Sequence, residues 1–390
     1  MELAARITKI KPSATLAVNA KAQEMRAQGR EVVSLAVGEP DFATPEHVTE
    51  AMKKALDQGY TRYTAVPGLP EVREAVAGYF NRHYQAGAES EQVMVSNGGK
   101  QCLFNLLQVL LDPGDEVLIP APYWVSYPDM TALAGGNPVI VPASAENGFE
   151  LTIDELEKKV SSGTKILILN SPSNPTGQVY SRHKLEEIFD WAVSRDIFVI
   201  SDEIYDRLVY PPAEPASLSR IWDRAGENLA VVNGLSKSFA TTGLRAGFVL
   251  AGEQIIKAMS KLQGQSTSNV CSPVQKGMQA ALEGGEEFVE RMRESLGKRR
   301  DMAMQKIKDW PGSVCVQPQG AFYLFPRLDA CPSAGWPGSV SICERILEET
   351  GVAVVPGEAF GDDTCLRISY AVDENTLEKA LDAVGKVVCG

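Results

Sequence analysis

Lys237 closes the segment Asn233-Gly234-Leu235-Ser236-Lys237, directly after an apolar run, and Arg245 follows eight residues later. An amine held at such a strand end, away from water, binds its proton less tightly and becomes available as a nucleophile or base. The run before Asp202 is equally apolar, so this carboxylate is expected to be buried and to need a cation or hydrogen bonds. Asn174 lies in Ser171-Pro172-Ser173-Asn174-Pro175, where two X-Pro steps stiffen the loop and can aim its amide at a ligand. Val93-Met94-Val95 leads into Ser96-Asn97-Gly98-Gly99-Lys100. Glycines ahead of a helix N-terminus let backbone N–H groups approach an anion, which the helix dipole also favours.

Each of these signals has an ordinary reading of its own: a surface lysine, a structural salt bridge, an Asn-Pro turn, a strand-to-helix turn. Their combination is more specific. An anion cradle, a buried Asp202, the aromatic hydroxyl of Tyr205 and a strand-end lysine fit pyridoxal 5'-phosphate chemistry. In that chemistry the lysine forms an imine, the aspartate keeps the pyridine nitrogen protonated, and the glycine loop with an arginine holds the phosphate.

Other chemistries find little support. The three histidines, His47, His83 and His183, are isolated and lack the spacing of a metal site, so no metal is expected. Seven cysteines form no C-x-x-C pair and read as reduced thiols of a cytoplasmic protein. No G-x-G-x-x-G is present, which removes the usual dinucleotide fingerprint. The charge balance is 38 basic minus 50 acidic residues, or −12, and argues against general affinity for nucleic acid or anionic membrane. No run approaches the length of a membrane span, and the opening residues lack the apolar core of a signal peptide.

The elements that must position these residues alternate. Short runs rich in Val and Ile occur at 93–95, 116–119, 138–141, 165–169, 197–200, 229–232 and 246–250. Several are apolar on both faces, as strands of a buried, mainly parallel sheet are. Helical spacing at 102–111 and 185–193 gives a repeated strand–helix layout, hence an α/β domain. The direction of the last run, 246–250, stays open at this point. The chain ends differ: a helix at 14–29, a long charged helix at 286–310, a strand at 321–325, a helix at 341–350, an extended segment at 352–355, a strand at 366–370 and a last helix from Glu374. The 390 residues therefore read as a large domain over 45–283 and a smaller α+β domain built from 1–44 and 284–390.

The sequence resembles the class I aminotransferases of fold type I, and in particular the bacterial aspartate aminotransferases of subgroup Ib. The likeness covers essentially the whole chain. It rests on Lys11-Pro12-Ser13-Ala14-Thr15, Gly38-Glu39-Pro40-Asp41-Phe42, Gly98-Gly99-Lys100-Gln101, Pro122-Tyr123-Trp124-Val125-Ser126-Tyr127, the Asn174 loop, Ser201-Asp202-Glu203-Ile204-Tyr205, Ser236-Lys237-Ser238-Phe239 and Leu366-Arg367-Ile368-Ser369-Tyr370. Thr241 departs from the pattern, which commonly has an apolar residue there.

The resemblance implies a seven-stranded, mainly parallel sheet flanked by helices, and a role for each matched residue. Lys237 would bond to the cofactor and, once displaced by substrate, shuttle a proton. Asp202 would pair with the ring nitrogen, Tyr205 and Asn174 with the ring oxygen, and Trp124 would stack on the ring face. Gly98, Gly99, Lys100, Ser236 and Arg245 would surround the phosphate, with Tyr63 reaching it from the partner subunit of a homodimer. Arg367 would clamp the substrate α-carboxylate as a fork, beside the Gly38 backbone, Trp124 and Asn174. Lys100 and Ser13 would receive the distal carboxylate of a dicarboxylic substrate, with Lys11 a further cation. The activity implied is transfer of the amino group of L-aspartate to 2-oxoglutarate by a ping-pong mechanism, with prephenate as an alternative or second substrate. A lyase acting at Cβ or Cγ would share Lys237 and Asp202 without needing Lys100 and Ser13. A ligand-sensing regulator on the same fold would carry a DNA-binding domain ahead of it, and none is expected because the pattern begins near residue 8.

Overall fold

The computed structural model describes residues 3–8, 10, 14–331 and 336–389. Its strands, in chain order, are β1 (Val33–Ser34), β2 (Val93–Ser96), β3 (Glu116–Ala121), β4 (Asn137–Pro142), β5 (Thr164–Asn170), β6 (Phe198–Asp202), β7 (Leu229–Gly234), β8 (Gly247–Ala251), β9 (Tyr323–Leu324), β10 (Val352–Ala353), β11 (Val355–Pro356) and β12 (Leu366–Ser369). Seven of them form one sheet in the order β2-β8-β7-β6-β5-β3-β4. Every pair from β7 to β4 runs parallel, whereas β8 is antiparallel to both its neighbours. That settles the direction of the 246–250 run.

All residues of β2, β7 and β8 are buried, because helices cover both faces of the sheet. The helices Gly99–Leu110 and Arg182–Val193 agree with the apolar spacing, and Ser181 caps the second by accepting from the Lys184 N–H at 3.2 Å. Helices Pro70–Tyr84, Ser126–Leu133 and Glu253–Gly264 also pack on the sheet, and Glu46–Asp57 packs against Ser272–Glu283. Parallel pairing brings the carboxyl ends of adjacent strands together. Asn170 at the end of β5 lies opposite Asp202 at the end of β6, and Asp202 lies opposite Val232 of β7. Because β8 is reversed, its first residue, Gly247, pairs with both Ser96 and Gly234, at the same edge.

The terminal segments gather in a second core, which also takes in Tyr205, Leu208 and Tyr210. Leu35 packs with Met292, Leu296 and Ile307 of the 23-residue helix Glu286–Lys308, and with Tyr323, Ile342, Ile368 and Leu381. Its sheets are short: β11-β12-β9, all antiparallel, and the parallel pair β1-β10. The strand expected at 321–325 is reduced to Tyr323–Leu324, since Ala321 takes a left-handed φ of 55° that no regular strand accommodates. The extended segment at 352–355 splits at Val354, where the chain leaves its parallel partner β1 for its antiparallel partner β12. Among the described residues, no helix is long and apolar enough to cross a membrane.

Candidate active site

The strand ends open into a cleft of about 850 Å³, within the range of small-molecule sites. Gly99 and Lys100 begin the helix after β2; Asn174 follows β5; Asp202 and Tyr205 follow from β6; Ser236, Lys237 and Arg245 lie between β7 and β8. Trp124 follows β3, and Gly38 and Arg367 come from the terminal segments. Gly98 sits at the rim, against Arg245. Tyr63 is apart from these: its side chain is 89% exposed and lines no part of the cleft. Ser13 and Lys11 lie outside the described residues.

Asp202 is buried, and its carboxylate has hydrogen bonds but no ion-pair partner among the described residues. Tyr127 Oη donates to Oδ2 at 2.7 Å and the Ile204 N–H to Oδ1 at 3.3 Å. Burial pushes its pKa up to about 6, against these bonds and the nearby Lys237. Asn170 braces the neighbourhood: its amide donates to the Asp202 carbonyl at 2.9 Å and accepts from the Asn174 N–H at 2.9 Å, which fixes the start of the Asn174 loop.

Lys237 Nζ donates to the Gly38 carbonyl at 2.5 Å. Burial lowers its pKa to about 8; Glu39 opposes the shift, and Arg367 and Arg245 add to it. A lysine in that range exchanges its proton near neutrality, as a general base must.

Arg367 is 3% exposed, yet it has no carboxylate partner among the described residues. Nη1 donates to Asn174 Oδ1 at 3.1 Å and Nη2 to the Ala36 carbonyl at 2.6 Å, while the buried Nε has no partner among the described residues. The guanidinium lies between two aromatic rings, 4.5 Å from the Tyr323 centroid and 5.0 Å from that of Phe360. Ring faces stabilise a desolvated cation without neutralising it. A buried, uncompensated guanidinium with a free donor is a receptor for an incoming carboxylate.

At the opposite end, Gly98 adopts φ 84° ahead of the helix Gly99–Leu110. A Cβ there would stand 2.6 Å from Arg245 Nη2, so only glycine lets the guanidinium lie across the helix start. Arg245 is anchored by a bond from Nη1 to the Thr242 carbonyl at 2.9 Å. Lys100 is exposed as a residue, but its ammonium sits 4.8 Å from the Trp124 ring centroid. Burial of that ammonium, and Arg245 second, lower its pKa.

Three contributors escape sequence reasoning. Tyr127 bonds Asp202, Asn170 braces Asn174, and Tyr323 meets both Tyr205 and Arg367. Tyr127 and Asn170 fall inside motifs or strand ends that were legible, whereas Tyr323 is an aromatic residue in an apolar run, with no signal of its own. The donor set fits pyridoxal phosphate. It offers an amine that can shed its proton, a buried carboxylate lacking a cation for the ring nitrogen, and a glycine–arginine cradle for the phosphate.

This fold, with that cleft at the carboxyl ends of its sheet, defines a class. The profile of the family "Aminotransferase class I and II" matches residues 30–384, and the chain belongs to that family. It is 41% identical to the aspartate aminotransferase of Bacillus subtilis, over 100% of this chain and 99% of that one. It is 44% identical to the aspartate/prephenate aminotransferase of Thermus thermophilus, over 99% and 98% of the two chains. The solved structure of the Thermus thermophilus aspartate aminotransferase with maleate superposes with a TM-score of 0.94 at 43% identity, over 99% of this chain and 100% of that one.

Proposed function

We propose that the cleft binds pyridoxal 5'-phosphate and that the protein transfers the amino group of L-aspartate to 2-oxoglutarate, giving oxaloacetate and L-glutamate in two half-reactions. The observation that carries this reading is Arg367, buried in the same cleft as Lys237 and Asp202 with no counter-charge among the described residues. The Bacillus subtilis aspartate aminotransferase and the Thermus thermophilus aspartate/prephenate aminotransferase, both aligned over nearly their full length, support the substrate.

When bound, pyridoxal phosphate supplies an electron sink that acidifies the substrate Cα–H bond. Asp202 would pair as the anion with the cationic ring nitrogen, and Tyr127 and the Ile204 N–H hold its two oxygens in place. Lys237 Nζ takes the proton from substrate Cα; its pKa near 8 leaves a usable fraction of free amine at neutral pH. Arg367 exchanges its bonds to Asn174 and Ala36 for the substrate α-carboxylate. That exchange would also free Asn174 to hold the ring oxygen, alongside Tyr205. Trp124 would cover the ring face, and Gly98, Gly99, Ser236 and Arg245 would hold the phosphate. Lys100, whose ammonium lies over Trp124, receives the distal carboxylate, and Ser13 would assist it.

The protein acts as a cytoplasmic homodimer in this reading, with Tyr63 of each subunit completing the phosphate site of the other. Its 89% exposure leaves it available to a partner. The division into a 45–283 domain and a 1–44 plus 284–390 domain is supported by the second core of Leu35 with residues of the carboxyl-terminal third. Prephenate is a second amino acceptor in this reading, which the Thermus thermophilus aspartate/prephenate aminotransferase favours. The test is oxaloacetate formation from L-aspartate and 2-oxoglutarate by the pyridoxal phosphate-loaded protein, next to Lys237→Ala. Turnover by the native chain and none by the folded variant is expected. Full activity of the variant would sink the mechanism.

A further inference from the structure

Tyr323 lines the cleft from β9 and is 1% exposed, yet no step above uses it. It touches three groups that the proposed reaction does use. Its hydroxyl lies 2.8 Å from the Tyr205 hydroxyl. Its ring faces the Arg367 guanidinium at 4.5 Å. A Cβ on Gly38 would stand 2.5 Å from its hydroxyl, so the segment that holds Lys237 Nζ passes directly over it.

We propose that Tyr323 is a positioning residue that sets Tyr205 and Arg367 together. Its hydroxyl donates to the Tyr205 oxygen, and its ring fixes the plane of the guanidinium that receives the α-carboxylate. Proton counting supports the direction. Each phenol carries one O–H, so if Tyr205 donated to Tyr323 it would have none left for the cofactor ring oxygen. With Tyr323 as donor, the Tyr205 proton is free, and the bond it makes onward is strengthened by polarisation. The ring acts separately: it sits on the face of Arg367 and leaves the Nε edge open.

This inference rests on the pyridoxal phosphate reading and separates from it by experiment. The native chain, Tyr323→Phe and Tyr323→Leu are loaded with pyridoxal phosphate. Three quantities are read: the pH midpoint of the visible absorbance band, the dissociation constant for maleate as an amine-free dicarboxylate, and the thermal midpoint. A donor to the ring oxygen lowers the proton affinity of its neighbour, so Tyr323→Phe raises the band midpoint by roughly half a unit, as loss of one neutral hydrogen bond allows. It leaves maleate binding within about threefold of native, because the ring remains. Tyr323→Leu weakens maleate by about tenfold as well, because the guanidinium loses its ring face. An unmoved midpoint in Tyr323→Phe overturns the role of the hydroxyl, and native maleate affinity in Tyr323→Leu overturns that of the ring. Lower thermal midpoints with neither quantity moved would mean Tyr323 is structural only, which also overturns the proposal. A native chain with no visible band after loading would instead overturn the cofactor reading beneath it.

Discussion

Asp202 and Lys237 are each held by burial away from the charge they carry in water, the carboxyl up to about 6 and the amine down to about 8. Both shifts have consequences for the cofactor-free protein. The folded pKa of Asp202 lies above the roughly 3.9 of an exposed aspartate, so the folded state binds more protons between about pH 4 and 6. This group's contribution to stability therefore falls as pH rises through that window, and above pH 6 it is a penalty that a ring cation would relieve. For Lys237 the unfolded state binds more protons between about pH 8 and 10.4, so its contribution improves as pH rises there. Asp202→Asn is accordingly expected to melt no lower than the native apoprotein at pH 7.5, with any advantage fading below pH 6. Its affinity for pyridoxal phosphate should fall about 100-fold or more, because the buried ring cation loses its counter-ion. Thermal melts and cofactor titration measure both. A variant that binds the cofactor like the native chain would remove Asp202 from its role.

The strand ends explain why the site forms where it does. Register places Asn170 beside Asp202, and the reversal of β8 brings Gly247 under the Gly98–Gly99 turn. A Cβ on Gly247 would stand 2.2 Å from Gly98 C and 2.3 Å from Gly99 N, both backbone atoms that cannot step aside. Gly247→Ala is therefore expected to lose cofactor affinity and thermal stability together. Gly98→Ala strains a φ of 84° and meets only the Arg245 side chain, so it should retain most stability while weakening cofactor binding. Gly59→Ala is the control: φ is +81° with nothing within 4 Å, so backbone strain of about 1 kcal/mol is its whole cost. Equal cofactor affinity in all three would contradict the cradle. The seven sheet strands were legible because runs such as 229–232 are apolar on both faces, and the strand-end positions of Lys237 and Asp202 drew attention with them. The two-residue strands were not, since Tyr323–Leu324 is set by its partner β12 and ended by Ala321. Tyr323 itself was illegible for a related reason. Its sequence context is that of a core aromatic, and only the fold shows its hydroxyl against Tyr205.

For the molecule as a whole, the cleft draws on both ends of the chain and on the central sheet, and in the proposed homodimer Tyr63 of a second copy would complete it. Tyr63 and Leu56, 89% and 53% exposed, are large side chains left uncovered in one chain. Sedimentation should give twice the mass of the chain, and Tyr63→Phe should weaken phosphate retention without dissociating the pair. A monomer at full activity would contradict the shared site. The most direct test of the central claim is the absorbance spectrum of the cofactor-loaded protein before and after L-aspartate is added, with no oxo acid present. The visible band is expected to disappear in favour of one at shorter wavelength with aspartate and with glutamate, but not with alanine, which lacks the distal carboxylate proposed to meet Lys100. No band after loading, or a band that aspartate leaves unchanged, would contradict the account.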